Sequence, residues 1–264
     1  MSPSSSPSAP GLSACRVGVS LGGRVILEAV DLTARPGELT AIVGPNGSGK
    51  TTLLRALGCL LDTSGEVRSG DTNLRALSPA ERARRVAYLP QISELRAALS
   101  VRQVVALGRY SARPGLFLHT RGDDAAVERA LARVGLAALA ERSYPTLSGG
   151  QKRLVLLARA LATDAPILLL DEPTASLDVR HALELFELLS SLAGEGYTIV
   201  VVLHDLDDVQ RHAAHAVLLD HGRVQASGAP LERSFATAAE RTYGVGLVPG
   251  DRLGFRLSGT EAPP

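Results

Sequence analysis

The chain has 264 residues, 45% of them hydrophobic, and is long enough to bury the core of a large α/β domain. Its 28 basic and 27 acidic side chains give a formal net charge of +1, which argues against nucleic acid as a partner. The uninterrupted apolar runs are much shorter than the roughly 20 residues that cross a bilayer, so no membrane-spanning helix is expected.

The N-terminal part of the chain is predicted to be a disordered tail followed by β-structure. Residues 1–10 are rich in Ser and Pro and lack the basic and apolar segments of a signal peptide. Residues 12–40 alternate short apolar stretches with Gly-Gly and Pro-Gly pairs, which predicts antiparallel strands joined by tight turns. Cys15 and Cys59 lack metal-ligand spacing and are predicted to be small core residues.

A phosphate-binding loop is predicted directly after the buried strand Leu39–Val43. The residues that follow this strand are Gly44, Pro45, Asn46, Gly47, Ser48, Gly49, Lys50, Thr51 and Thr52. They fit the pattern G-x-x-x-x-G-K-[ST], and the leucine spacing after them predicts a helix. Backbone N–H groups and the helix N-terminus suit phosphate, Lys50 suits the outer phosphates, and the Thr51 hydroxyl suits Mg²⁺. A chance glycine turn is the alternative, but the strand-loop-helix context disfavours it.

The rest of the chain predicts a parallel sheet with a helical insertion. Val86–Leu89 is predicted to be a short strand, and residues 92–146 have the helical periodicity of an inserted subdomain. Apolar runs at 167–170 and 198–203 alternate with a predicted helix, which indicates a parallel sheet covered on both faces. These patterns divide the chain into a tail, a main domain over 11–231, and a weakly patterned C-terminal appendage over 232–264.

Three polar residues end two of these predicted strands. Asp171 and Glu172 follow one strand, at the sheet edge where open parallel sheets bind ligands. Asp171 would hold Mg²⁺ through water and Glu172 would polarise the water that attacks a γ-phosphate; an acidic helix cap is the alternative. His204 ends the other strand at the same edge, which favours a γ-phosphate contact over a purely structural role.

A second anion-binding helix start is predicted in the same chain. It comprises Ser148, Gly149, Gly150 and Gln151. Ser at the N-cap and Gln three residues later form a capping box, which leaves the backbone N–H groups of the first turn facing outward. One nucleotide cannot easily use two such sites of one chain. The second site is therefore predicted to serve a nucleotide held by a partner subunit.

Over residues 12–231, this set of motifs resembles the ATPases of ABC transporters. By that resemblance, 44–52 is the Walker A loop, Gln91 the Q-loop glutamine, 148–151 the signature, 168–172 the Walker B strand, 176–178 the D-loop with Asp178, and His204 the switch histidine. The resemblance implies a P-loop core with a parallel sheet, an N-terminal antiparallel β portion and an inserted helical subdomain. It also implies ATP and Mg²⁺ as ligands.

The same resemblance assigns roles to the site residues. It places Lys50, Gln91, Glu172 and His204 in catalysis, and it places Thr51, Gln91 and Asp171 at the metal. It assigns nucleotide binding to the whole loop 44–52, including Lys50 and Thr51, to the signature residues 148–151 and to Asp178 of the D-loop. In this family two subunits enclose two ATP molecules head to tail, with each phosphate loop facing the other subunit's signature.

Two parts of the sequence depart from the family pattern. Leu21 stands where an aromatic residue usually stacks on adenine, so stacking there should be lost or supplied elsewhere. After the signature glycines, the run Gln151-Lys152-Arg153-Leu154 replaces a more usual polar run that ends in Gln-Arg. That replacement affects the expected contacts of the signature helix.

Three segments resemble the subgroup that imports iron-siderophore complexes, haem or cobalamin. They are residues 100–110, 204–206 and 243–245, although the subgroup commonly has Pro-His where this chain has Ser111 and Ala112. The resemblance implies a peripheral location at the cytoplasmic membrane face, transmembrane permease subunits as partners, and indirectly an extracytoplasmic substrate-binding protein.

Other functions remain as alternatives. The cargo could be different, or the transporter could be an exporter. A soluble ABC protein would usually carry two cassettes or long heptad arms, and neither occurs here. A P-loop kinase or GTPase would not need residues 148–151.

Overall fold

The computed structural model describes residues 10–91, 98–111, 120–175, 177–248 and 254–257. The strands are β1 (Leu12–Leu21), β2 (Arg24–Ala34), β3 (Leu39–Val43), β4 (Ser64–Ser69), β5 (Thr72–Asn73), β6 (Val86–Leu89), β7 (Ile167–Asp171), β8 (Thr198–Val202), β9 (His215–Asp220), β10 (Arg223–Gly228), β11 (Val245–Val248) and β12 (Gly254–Leu257). The helices are α1 (Lys50–Leu57), α2 (Pro79–Ala83), α3 (Val101–Ser111), α4 (Arg121–Arg133), α5 (Gly149–Leu161), α6 (Val179–Gly194), α7 (Leu206–His212) and α8 (Arg233–Tyr243). The predicted disordered tail, apart from Pro10, lies outside the described residues, as does Ser176 of the predicted D-loop.

The central sheet has the strand order β10-β9-β3-β8-β7-β6, in which β9 to β6 run parallel and β10 is an antiparallel edge strand. Alternate residues of its middle strands enter different cores: Val201 of β8 packs on one face, and Val200 and Val202 pack on the other. Because both faces are covered, the middle strands β3, β7 and β8 are mostly apolar. The prediction of a parallel sheet buried on both sides is confirmed.

An antiparallel sheet, β2-β1-β4-β5, and helix α1 cover one face of the central sheet. The predicted N-terminal antiparallel portion is therefore confirmed. The expectation for Cys15 is wrong, because this residue is exposed, and Cys59 is only half-buried. Cys15 lies where the pairing of β1 with β2 shifts register between Ala14 and Val17, and such an irregularity changes which side chains face the core.

Helices α5, α6 and α8 contribute buried residues to the core on the opposite face. The inserted helical subdomain packs on α5 through α3 and α4. Arg109 of α3 pairs with Asp123 of α4 at 3.0 Å, and this carboxylate is only 2% exposed. Among the described helices, none is both long and apolar enough to cross a bilayer.

The C-terminal appendage, residues 232–264, contains more secondary structure than its weak sequence pattern indicated. Helix α8 buries Phe235, Ala236 and Ala239, and it is followed by the antiparallel hairpin β11–β12. Phe235 and Ala239 belong to the same apolar cluster as the central strands. Residues after 231 therefore contribute to the main core.

Candidate nucleotide-binding site

The carboxyl ends of β3, β6, β7 and β8 meet at one edge of the central sheet. The predicted phosphate loop follows β3, and Gln91, Glu172 and His204 follow β6, β7 and β8 in turn. Parallel strands deliver the residues after them to a common edge, which is where ligands bind in such sheets. The fold thus brings together residues that are far apart in the sequence.

The phosphate loop depends on glycine at its first position. A Cβ on Gly44 would lie 1.9 Å from the carbonyl oxygen of Leu219, so only glycine fits. Gly49, the N-cap of α1, has φ +103, and no side chain caps this helix. The N–H groups of the first turn of α1 are therefore available to an anion.

Other members of the loop lie around these two glycines. Asn46 and Gly47 are exposed at its tip, while Pro45, Thr51 and Thr52 are half-buried. Ser48 is buried, and its carbonyl accepts a hydrogen bond of 3.0 Å from Gly222 N–H. Gly222 lies in the turn between β9 and β10. This hairpin at the sheet edge therefore supports the phosphate loop.

Lys50 folds back onto the loop. Its Nζ donates to the carbonyl oxygens of Gly44 at 2.7 Å and Pro45 at 2.9 Å. Burial lowers the pKa of Lys50, and the Glu172 and Asp171 carboxylates act in the opposite direction. The ammonium is thus held beside two carboxylates, where the outer phosphates of a nucleotide are expected.

Asp171 is fully buried and accepts two side-chain hydrogen bonds. Thr51 Oγ1 donates to Oδ1 at 3.0 Å, and Tyr88 OH donates to Oδ2 at 3.3 Å. Burial raises the pKa of Asp171, and these hydrogen bonds lower it. Arg55 in turn donates from Nε to Tyr88 OH at 3.3 Å.

Sequence reasoning missed Tyr88 as a site residue. In the parallel pair β6–β7, Tyr88 is paired with Leu169, two residues before Asp171, so both side chains lie on one face of the sheet. The only signal in the sequence was a polar aromatic residue within a short apolar strand. Its partner could not be predicted without the register.

Glu172 is held by two groups from neighbouring strand ends. Gln91 Nε2 donates to Oε2 at 2.6 Å, and His204 Nε2 lies 2.5 Å from Oε1. The backbone of Glu172 has φ +48, a left-handed conformation that is uncommon for residues other than glycine. This turn directs the carboxylate toward Gln91 and His204.

The predicted signature residues start α5. Ser148 Oγ accepts from Gln151 N–H, and Ser148 N–H donates to Gln151 Oε1, both at 3.2 Å. The predicted capping box is confirmed. Ser148 and Gly149 are exposed and Gly150 is half-buried. The described side-chain hydrogen bonds of Ser148 and Gln151 stay within this box, so the structure does not join them to the chain's own phosphate loop.

Asp178 lies at the start of another helix. It is the N-cap of α6 and accepts from His181 N–H at 2.9 Å. The hydrogen bonds from the backbone N–H and from the ring of His181 lower the pKa of Asp178. In the described part of the chain its contacts are thus local ones, separate from the cluster around Lys50.

The residues around the loop fit both a nucleotide and Mg²⁺. A Cβ on Gly44 or Gly49 would clash with neighbouring protein atoms, so the two glycines allow a tight loop, and no side chain caps the helix start that follows it. The Thr51 hydroxyl and Asp171 carboxylate are the hard oxygen donors that Mg²⁺ prefers. No cluster of three or more His, Cys, Asp or Glu side chains suited to a metal occurs among the described residues.

A glycine loop at a helix start, a lysine and two carboxylates at the edge of a parallel sheet define a P-loop nucleoside triphosphatase. The exposed helix start at Ser148 and Gly149, which was predicted to bind a second anion, and the inserted helical subdomain are the features that ABC-type ATPases add to this class.

Comparison with known proteins agrees with this class. The ABC transporter family model matches residues 27–175. A cobalamin import ATP-binding protein of Halobacterium salinarum is 46% identical over 216 residues, which are 80% of this chain and 53% of the relative. The ferric enterobactin transport ATP-binding protein of Escherichia coli K12 is 40% identical over 85% of this chain and 83% of the relative. A hemin import ATP-binding protein of Mesorhizobium japonicum is 39% identical over 91% of this chain and 95% of the relative.

The chain therefore belongs to the ABC transporter family. It spans about half the length of the halobacterial relative and most of the other two. Among solved structures, a dimeric bacterial ABC transporter cassette is 30% identical, with a TM-score of 0.73 over 83% of this chain and 98% of that one. The predicted fold class is confirmed.

Proposed function

We propose that this chain hydrolyses MgATP as one of two ATPase subunits that drive import of a metal chelate such as an iron-siderophore complex, haem or cobalamin. The observation that carries the ATPase part is the contact of Glu172 with Gln91 and His204, beside Lys50 and Asp171. The relatives that import cobalamin, ferric enterobactin and hemin support the cargo class.

Binding of ATP changes the partners of Lys50. The ammonium exchanges the carbonyls of Gly44 and Pro45 for phosphate oxygens, while the N–H groups of the loop and α1 bind the other phosphate oxygens. Thr51 and Asp171 would hold Mg²⁺, with Gln91 as a further ligand from the Q-loop. Bound Mg²⁺ neutralises charge that develops on the phosphates.

Hydrolysis requires a free oxygen on Glu172. Its two carboxylate oxygens are engaged by Gln91 and His204, so neither is fully available to orient a water. Once Gln91 and His204 release the carboxylate, Glu172 can accept a hydrogen bond from the attacking water and polarise it. Gln91 would then be free to help hold Mg²⁺, and His204 to contact the γ-phosphate. The nucleotide itself thus activates the carboxylate.

Catalysis needs a second copy of the chain. Ser148 and Gly149 are exposed, and the described contacts of their helix start are separate from the chain's own loop. Their N–H groups would bind the phosphates of an ATP held by the second subunit. Asp178, at the start of α6, would lie near the same interface.

The helical subdomain offers a docking surface for a permease. An apolar groove of about 410 Å³ lies between α3 and α4 and is lined by Leu99, Arg102, Gln103, Ala106, Leu107, Tyr110, Asp124 and Val127. Leu107 and Tyr110 are among its partly exposed apolar residues. A short cytoplasmic helix of a transmembrane subunit would fit here, which would keep the ATPase at the cytoplasmic membrane face and link it to an extracytoplasmic binding protein.

Reconstitution tests the transport part. The chain is co-expressed with polytopic permeases from its own genome, and co-purified complexes are assayed in vesicles for ATP-driven uptake of vitamin B12, a ferric siderophore and haem. Uptake of one chelate supports import; release from preloaded vesicles, or transport of none of them, contradicts it. Leu107→Asp should abolish co-purification, whereas Leu183→Asp, at an exposed position of α6, should not.

A further inference from the structure

Arg153 is an unusual residue within the signature helix. It lies in the second turn of α5 and is only 6% exposed. Its described hydrogen bonds all go to backbone carbonyls, whereas a buried guanidinium commonly pairs with a carboxylate. The described partners of this buried charge are therefore backbone carbonyl groups.

The carbonyls that Arg153 binds come from two turns of the active site. Nη1 donates to Pro90 O at 2.5 Å and Gln91 O at 3.0 Å, Nη2 donates to Asp171 O and to Glu172 O at 2.9 Å, and Nε donates to Pro173 O at 3.3 Å. The first turn carries the Q-loop glutamine, and the second carries the glutamate that contacts it. One side chain therefore joins three segments: the signature helix, the end of β6 and the end of β7.

These contacts support the unusual backbone of Glu172. This residue has φ +48, and Arg153 binds the carbonyl before it, its own carbonyl and the carbonyl after it. Such a conformation persists where surrounding contacts hold it in place. Without the guanidinium, the turn would lose donors on both sides of the strained residue.

The contacts also require arginine. Its planar guanidinium presents five N–H donors in a fork, whereas lysine has three donors on one atom and glutamine has two. Burial lowers the pKa of Arg153, and the Asp171 and Glu172 carboxylates act in the opposite direction. The adjacent carboxylates thus favour a cation at this position.

We propose that Arg153 is a positioning residue for ATP hydrolysis, which ties the signature helix to the Gln91 and Glu172 turns and so fixes the Glu172 carboxylate. A movement of α5 against nucleotide on the second subunit would then reach Glu172 of its own chain through this one side chain. This transmission of movement from α5 to Glu172 rests on the proposed two-subunit function.

The test compares Arg153→Met, Arg153→Lys and the neighbouring charge deletion Lys152→Met. For Arg153→Met, kcat should fall on the order of 10²-fold, the scale expected when a reacting group is misplaced by about an ångström. The Kd for the non-hydrolysable analogue AMP-PNP should stay within about threefold, because the phosphate loop is untouched. Arg153→Lys should keep part of the activity, and Lys152→Met should match the wild type.

Chemical rescue separates positioning from general stability. In Arg153→Ala, added methylguanidinium should restore part of kcat, while the same additive should not help Lys50→Ala. Wild-type kcat in a folded Arg153→Met would overturn the proposal. So would a joint loss of kcat, AMP-PNP binding and Tm without rescue, because it would indicate a purely structural role.

The wild-type chain distinguishes this proposal from the two-subunit function. If wild-type activity rises linearly with protein concentration, the two-subunit function fails whatever Arg153 does. If wild-type activity is cooperative and Arg153→Met is equally active, only the role of Arg153 fails.

Discussion

Thr51 Oγ1 donates a hydrogen bond of 3.0 Å to Asp171 Oδ1, across 120 positions of the sequence. The contact joins α1, which follows β3, to the end of β7, which lies two strands away from β3 in the sheet. Both oxygen atoms are thus held together before nucleotide binds. Two of the three proposed Mg²⁺ donors, Thr51 and Asp171, therefore already lie together.

Removal of the Thr51 hydroxyl should weaken the use of Mg²⁺. Thr51→Val keeps the shape of the side chain but loses the oxygen, so the Mg²⁺ concentration for half-maximal ATPase activity should rise about 10–100-fold. Thr51→Ser keeps the oxygen and should stay close to the wild type. A Mg²⁺ titration of both variants checks this, and equal titration curves would contradict the assigned role.

Asp171→Asn should abolish hydrolysis yet stabilise the chain when nucleotide and Mg²⁺ are absent. Burial is the main effect on the carboxyl and raises its pKa. A carboxyl with a higher pKa in the folded state loses stability as pH rises from its unfolded value, about 3.9, through its folded one. Above that pH range the full free-energy cost of burying the ionised carboxylate is present, and asparagine, which is neutral, removes this cost.

The measurement is Tm against pH in EDTA for Asp171→Asn and the wild type. Relief of about 1 kcal/mol would raise Tm by roughly 2–4 °C at neutral pH, and the difference should shrink toward about pH 4. Asp178→Asn provides a control of opposite sign, because hydrogen bonds to His181 lower the pKa of Asp178. A pH-independent Tm difference for Asp171→Asn would contradict the account.

Gly44→Ala should disrupt the phosphate loop. The added Cβ would lie 1.9 Å from the backbone oxygen of Leu219, and a backbone group cannot move aside as a flexible side chain can. AMP-PNP affinity should fall by at least about tenfold, equivalent to about 1.4 kcal/mol. Gly194→Ala, where nothing lies within 4 Å of the new atom, is the matched control and should bind normally. Calorimetric titration of both variants decides the outcome.

Leu21→Tyr should strengthen ATP binding if adenine lies at the end of β1. Leu21 is 47% exposed, and an aromatic ring there could stack on the base, which is worth about 1–3 kcal/mol per base. Leu183→Tyr places the same ring on an exposed position of α6 and should leave ATP affinity unchanged. Equal ATP affinities for the two variants would mean that adenine binds elsewhere.

The parts of the fold and of the site that depend on short-range sequence patterns could be predicted. The bounds of β3 and β6 agree with the apolar runs that predicted them, because strands buried on both faces are apolar throughout. The capping box at Ser148 and Gln151 is equally local, since its two hydrogen bonds span three residues. Motif spacing therefore identified the elements around the site.

Contacts between distant segments could not be predicted in this way. Tyr88 reaches Asp171 because of the register between β6 and β7, which no short-range pattern sets. Arg153 drew attention only as a departure from a family pattern, because a charged residue on a helix is ordinarily expected at the surface. Its burial follows from carbonyls that tertiary structure brings to it.

The most direct test of the central claim is Mg²⁺-dependent ATP hydrolysis by the purified chain as a function of its concentration, with Glu172→Gln measured in parallel. Two chains that complete each other's sites predict activity that rises faster than linearly and is abolished by the substitution, with the variant retaining ATP as a dimer. Activity that is linear in protein concentration and indifferent to Glu172 would contradict the two-subunit mechanism.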